Sequence, residues 1–406
     1  MMNLLRCFPS EPKCVGLCSS AAIAVLLATA LCLAQLSQAQ TEATLYSFKM
    51  KGSNNGTFPS AGLVRDSSGN LYGTTNTGGT FNHGTVFKLS GTTLTTLYTF
   101  SGRTDGGLPN SSLLRDAAGN LYGTTEIGGD LGCNVSGRLG CGTVFRLLPT
   151  GKLEVLHAFT GPPDGFFPSG LVPDSQGNLY GSTSLGGAAN AGTVYKLDAT
   201  RKETILYSFT GSNGGSDGAN PNGLIRDSGG NLYGSTASGG PSNFGTVFRV
   251  DSTGKETVLF TFSGEATGEF PQGGLAQDPA GNLYGTTQIG GTSVSGIIFK
   301  IDPSGKETIL HSFTSANGDG GNPQSTITRD AAGNLYGTTA LGGIDDWGVV
   351  FKLDTADNET ILHSFGSGSD GRAPLGRLIM DPAGHIWGVT QQGGAAGWGT
   401  VFEITP

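Results

Sequence analysis

Asn70-Leu71-Tyr72-Gly73 is written seven times along this chain. It returns as Asn120-Leu121-Tyr122-Gly123, Asn178-Leu179-Tyr180-Gly181, Asn231-Leu232-Tyr233-Gly234, Asn282-Leu283-Tyr284-Gly285, Asn334-Leu335-Tyr336-Gly337 and a drifted His385-Ile386-Trp387-Gly388. Successive copies start 50, 58, 53, 51, 52 and 51 residues apart. A period of about 50 residues with strand-forming content is the size of one four-stranded propeller blade. The repeat therefore predicts an all-β fold, a seven-bladed β-propeller.

The second unit shows how the strands fall. Ser112-Leu113-Leu114-Arg115 is a short apolar first strand. Asp116-Ala117-Ala118-Gly119 follows, with Asp first and Gly last as a type I turn prefers. Asn120 to Thr125 is the return strand. A Gly-rich loop leads to Gly142-Thr143-Val144-Phe145-Arg146-Leu147, and Pro149-Thr150-Gly151 turns the chain into a fourth strand, Glu154 to Phe159. No helical period appears. Residues 40–406 open with a fourth strand, Thr44 to Phe48, and close with a third strand, Gly399 to Ile404. The N-terminal strand is thus expected to complete the last blade and remove the open junction between the ends of the ring. An open solenoid gives no reason for that offset, and a right-handed β-helix prefers shorter coils.

The unit Gly-Asn-Leu-Tyr-Gly-Thr-Thr, then Gly-Gly, then Gly-Thr-Val-Phe-Lys-Leu, then Leu-Tyr-Ser-Phe resembles the GloVer tandem repeat of exported bacterial proteins over residues 44–404. The hairpin Asp-x-x-Gly-Asn-Leu-Tyr is similar to that of NHL-type and gluconolactonase-like propellers. The resemblance implies export and a repeat array, and carries no activity with it.

Residues 1–39 read as a secretory signal peptide. Arg6 and Lys13 precede an uncharged apolar stretch, Ala21 to Leu33, and Ser37-Gln38-Ala39 offers small residues for cleavage. The alternative is a retained anchor, for which the stretch is short. Its removal takes two basic residues and one acidic one, so the net charge of -8 becomes -9. Charged residues are 13% of the chain. That argues against nucleic acid, which needs a basic stripe, and equally against an anionic membrane surface. Of six cysteines only Cys133 and Cys141 remain, and in an oxidising compartment the pair is expected to form a loop-closing disulfide. A secreted, periplasmic or cell-surface monomer is expected.

A residue repeated seven times is structural before it is functional. Asp66, Asp116, Asp174, Asp227, Asp278, Asp330 and Asp381 open the first hairpin turn and are expected to cap it. Asp105, Asp164, Asp217, Asp319 and Asp370, with Asn55, mark a second turn before a proline. No cofactor or metal site is read; calcium is the ion these oxygens suit, though no loop carries its dense ligand run. His157, His311 and His363 replace the outer-strand rings Tyr46, Tyr98, Tyr207 and Phe260 on separate blades, and His83 and His385 stand alone. None has the nucleophile and carboxylate of a triad, and no phosphate loop or dinucleotide fingerprint is present.

Function should lie in departures from the repeat, on the face formed by the long variable loops between blades and between the second and third strands. The mouth of the ring is expected to be lined by the residues after each loop proline: Ser60, Asn110, Ser169, Asn222, Gln272, Gln324 and Leu375. The second-strand ends add Asn76, Glu126, Ser184, Gln288 and Gln391. Trp347, Trp398 and Phe244 stand just before the third-strand glycine, either as exposed platforms for sugar rings or protein partners or as packing between blades. These features favour a non-catalytic binding propeller recognising a glycan or an extracellular protein. An enzyme on the same scaffold, a lactonase-like hydrolase or polysaccharide lyase with Glu126 as base, is the alternative, and a structural surface component is the third.

Overall fold

A computed structural model of the protein describes residues 41–49, 54–135, 137–211 and 215–406. The signal segment proposed for residues 1–39 lies outside the described residues. Thr41–Thr405 form one compact unit. Seven four-stranded antiparallel blades stand in a ring, the β-propeller expected from the repeat, with no α-helix among the described residues. The fifth blade is representative: Ala276–Gln277 innermost, then Leu283–Thr287, Ile297–Ile301 and Glu307–Ser312. In the second, fourth and sixth blades a further short segment, such as Gly107–Pro109, extends the inner edge. The last blade takes its outer strand from the N-terminal side: Thr41–Ser47 pairs with Thr400–Thr405, Thr41 opposite Thr405 and Ser47 opposite Thr400.

Every residue of the repeated phrase has a place in the packing. In the first blade Leu71 is buried. Asn70 donates from its backbone to Asp66 Oδ1 at 2.9 Å and from Nδ2 to Asp66 Oδ2 at 2.8 Å, and the Tyr72 hydroxyl donates to the same Oδ2 at 3.0 Å. Burial alone would raise the Asp66 carboxyl, but these bonds outweigh it and hold the group down at about 2. The glycine admits an aromatic ring: a Cβ at Gly73 would lie 2.7 Å from Phe87 Cζ. The same Asp, Asn and Tyr contacts recur at Asp116, Asp174, Asp227, Asp278 and Asp330, so the expected turn caps are present. In the last blade Trp387 replaces tyrosine, and the Arg65 guanidinium of the next blade lies 4.5 Å over its ring.

The core runs between blades. The phenylalanine ending each outer strand is fully buried and meets, edge on or tilted, the third-strand ring of the next blade: Phe48 with Phe87, Phe100 with Phe145, Phe159 with Tyr195, and so round to Phe365 with Phe402. Each such ring contributes roughly 1.5–3 kcal/mol through burial and a further ~1 kcal/mol through the edge contact.

The seams are stitched by one device, used seven times. The residue before each loop proline has a left-handed backbone: Phe58, Leu108, Phe167, Asn220, Phe270, Asn322 and Ala373, with φ between 53 and 58°. Its N–H donates to the carbonyl preceding the third-strand glycine of the previous blade, as Phe58 does to Trp398 at 3.1 Å and Leu108 to His83 at 2.8 Å. The proline ring then lies on that glycine, Pro109 Cδ being 2.6 Å from where a Gly84 Cβ would sit. Glycine, proline and the strained residue between them are thus parts of one joint.

Candidate functional site: the channel and its loop-rich mouth

The loops between blades and the loops after the second strands share one end of the ring, because they pair with each other. Thr57 bridges Thr77, Gly107 pairs with Ile127 and Gly371 with Gly393. This end opens on a central cavity of about 1000 Å³. All seven expected mouth residues line it: Ser60, Asn110, Ser169, Asn222, Gln272, Gln324 and Leu375.

Their side chains are unequally committed. Asn222 Nδ2 donates to the Pro271 carbonyl at 2.6 Å and to Ser235 Oγ at 3.2 Å, which fixes it across a seam. Asn110 Nδ2 donates to Glu126 Oε1 at 3.1 Å, while its Oδ1 is buried with no partner. Gln324 donates to Asn322 Oδ1 at 2.5 Å. Gln272 is exposed. The second-strand ends Asn76, Glu126, Ser184, Gln288 and Gln391 stand back from the cavity wall. Gln288 Nε2 reaches Asn322 Oδ1 at 3.4 Å. The Glu126 carboxylate pairs with Arg138 Nη1 at 3.2 Å, a guanidinium on the loop closed by the Cys133–Cys141 disulfide.

The three loop aromatics lie in the seams, half-buried, rather than free on the surface. Trp398 meets Phe58 of the next blade edge on at 5.0 Å, and Phe244 meets Phe270 at 5.7 Å. Trp347 has the Arg372 guanidinium 5.4 Å above its ring. The physical reason is their position. The residue before the third-strand glycine gives its carbonyl to the next blade's stitch, so its side chain is drawn against the residue that donates. Trp347 and Trp398 therefore occupy separate seams.

The outer-strand histidines do not meet one another, as expected for separate blades. Each does meet two carboxylates: His157 with Asp164 and Glu203, His311 with Asp319 and Glu359, His363 with Asp370 and Glu42. In each group the candidate ligand atoms lie within 4.8 Å of one another and are half-buried, a donor set that a divalent transition ion accepts. The signal for these groups is distributed: the histidine and aspartate come from one blade and its loop, and the glutamate opens the outer strand of the next.

One residue below the expected rim breaks the repeat. Arg377 stands on the channel wall immediately before the buried Leu378. The equivalent residues of the other blades are Gly62, Ser112, Gly170, Gly223, Gly274 and Thr326. Aligning the units on their buried leucine or isoleucine, rather than on the phrase, exposes this single exception.

The family model described as the Gloeobacter/Verrucomicrobia repeat matches residues 33–216, 132–329 and 316–406. No curated protein matches the chain. Among solved structures, the extracellular domain of a protein described as a one-component system from B. thetaiotaomicron is similar at 14% identity and TM-score 0.55, over 87% of this chain and 39% of that one. This chain therefore spans about two fifths of that structure's length. A puromycin hydrolase is similar at 15% identity and TM-score 0.51, over 82% of this chain and 50% of that one. A gluconolactonase from Xanthomonas campestris is similar at 17% identity and TM-score 0.42, over 71% of this chain and 82% of that one. At these identities the first two likenesses concern the fold alone.

Proposed function

Taking as premise that this chain belongs to the Gloeobacter/Verrucomicrobia repeat family, we propose that it is an exported, non-catalytic binding propeller whose ligand is a glycan held at the loop-rich mouth of the channel. The observation that carries the reading is the division of labour among polar groups. The repeated carboxylates are engaged by their own turns, and Glu126, the base an enzyme would use, is held by Arg138. The rim side chains facing the cavity are amides and hydroxyls but for Leu375, among them the exposed Gln272. Such groups donate to and accept from neutral hydroxyls at short range. A cavity of about 1000 Å³ matches a short saccharide better than a folded partner. The disulfide and the family's exported character support a location outside the cytoplasm.

A protein partner is the second reading, favoured by a separate observation. Of the seven large hydrophobic residues exposed among the described residues, six lie at or beyond the second-strand ends on this face: Phe81, Leu131, Leu139, Val294, Leu341 and Ile344, the last 84% exposed. A glycan array and an affinity capture with the purified protein separate the two. The glycan reading expects array signals that fall on substituting Gln272→Ala and Asn110→Ala. An array without signal, together with a captured protein lost on substituting Ile344→Ser and Phe81→Ser, would transfer the function to the loop tips.

A further inference from the structure

We propose that the channel contains an oxyanion-recognition site built on Arg377, and that the ligand is a saccharide bearing a carboxylate or sulfate. The inference rests on the glycan-binding reading above and narrows its chemistry.

The wall of the channel at this level is a ring of small residues. Gly62, Gly170, Gly223 and Gly274 present no side chain, and Ser112 and Thr326 present hydroxyls. Gly223 has nothing within 4 Å of where a Cβ would sit, so the wall facing the cavity is open there. The arginine is the one long side chain of the ring. It is reached by water but enclosed by the channel, and the enclosure pushes its pKa down. An arginine stays protonated even so.

Its charge has no answer among the described residues. Among the described residues no carboxylate lies within ion-pair distance of Arg377, no acceptor is bonded to its guanidinium and no ring lies beneath it. Asp330 and Asp381 also line the cavity, but both are tied to their own hairpin turns, Asp330 through Asn334 and Tyr336 and Asp381 through Ala383 and His385. The guanidinium is open to the water of the channel, so a ligand entering there meets an unpaired cation. In a confined low-dielectric cleft the same charge focuses field on whatever enters. The rest of the molecule is acidic, with a net charge of -8, so Arg377 is a local reversal of sign.

The surroundings complete an oxyanion site. Ser112 Oγ accepts the Gly62 N–H at 3.0 Å and Thr326 Oγ1 accepts the Gly274 N–H at 2.9 Å, which leaves both hydroxyl protons free to donate into the channel. A planar guanidinium matches the two oxygens of a carboxylate or of a sulfate face. Above this ring stand the mouth residues Asn110, Gln272 and Gln324, placed to bond the hydroxyls of the same saccharide.

The test is isothermal titration of the purified protein with a uronic-acid oligosaccharide, a sulfated oligosaccharide, a neutral oligosaccharide of equal length, and inorganic sulfate and phosphate. The native chain should prefer a charged saccharide to the neutral one. That preference should weaken about tenfold or more in Arg377→Met, with the melting temperature unchanged, and Arg377→Lys should retain part of it. Raising salt on the native chain should weaken charged ligands and leave neutral ones alone, a readout that needs no variant. Equal affinity for charged and neutral saccharides, indifferent to Arg377→Met and to salt, would overturn the anion site and leave the glycan reading standing. Binding of no saccharide at all would overturn both. Sulfate or phosphate alone binding as tightly as the charged saccharides, with the same loss in Arg377→Met, would uphold the anion site and overturn the saccharide.

Discussion

Gly234 gives a sharp test of why the repeated phrase ends in glycine. A methyl group there would lie 2.7 Å from Phe248 Cζ and 3.0 Å from Leu224 Cδ2. Carbon atoms settle near 3.5–4.0 Å, so the Phe248 ring would have to retreat by roughly 1 Å. It has nowhere to go: it is fully buried and meets Phe209 edge on at 4.9 Å on its other side. Gly234→Ala should therefore destabilise the protein by about 2–3 kcal/mol, the upper part of the range for overpacking. Urea denaturation followed by fluorescence reads the loss. Phe248→Leu opens the space the methyl needs, so the double variant should be more stable than the sum of the single losses predicts, by about 1 kcal/mol or more. Gly170→Ala is the control: its nearest neighbour is Gly223 Cα at 3.8 Å, and its stability should hold or rise slightly. Additive losses in the Gly234→Ala, Phe248→Leu pair, or a comparable loss at Gly170→Ala, would refute the claim that the glycine exists to admit the ring.

Two further outcomes follow from the packing. Burial raises the carboxyls of Glu256 and Glu307 to about 7, Asp217 adding to the effect at Glu256. The folded chain then holds these protons more tightly than the unfolded one. Their contribution is fully present below about pH 4.5 and lost as pH climbs through about 7, about 1 kcal/mol each after discounting for solvent screening. The thermal midpoint should accordingly be higher at pH 5 than at pH 8, and Glu307→Gln should flatten the slope; a midpoint rising toward pH 8 would contradict it. Phe48, fully buried at the end of the N-terminal strand, should cost about 3–5 kcal/mol when cut to alanine. Hydrogen exchange should then show Thr400–Thr405 losing protection before the other third strands, and uniform loss across all blades would count against a locally held closure.

The ring was legible because its evidence is written seven times. The phrase, the turn aspartates and the offset of the terminal strands all repeat, and the pairing of Thr41–Ser47 with Thr400–Thr405 follows from them. The mouth residues were legible for a related reason: a proline pinned to the preceding blade's glycine sets the same register in every unit. The placement of Trp347 and Trp398 was harder to read. Whether a half-apolar side chain faces water or the next blade depends on where its own carbonyl is spent, and no single repeat shows that. The His–Asp–Glu groups were hidden because each joins residues on adjacent blades, the histidine and glutamate of two groups lying about 40–50 positions apart in sequence and those of the third, His363 and Glu42, near opposite ends of the chain. Arg377 was hidden by its rarity: one residue in seven equivalent positions makes no pattern until the small residues beside it are lined up.

The left-handed residue at each seam bears on how the architecture could grow or shrink. A backbone in that region costs a bulky residue of order 1 kcal/mol or more, and the bond that offsets it comes from the neighbouring module. A lone module would relax the kink and lose its proline anchor. A closed circle satisfies all of them at once, since the last seam, Phe58 on Trp398, is built like the other six. Copies inserted or deleted by recombination would thus inherit complete joints wherever the cut fell, while an unclosed string would carry one kink with nothing to hold it.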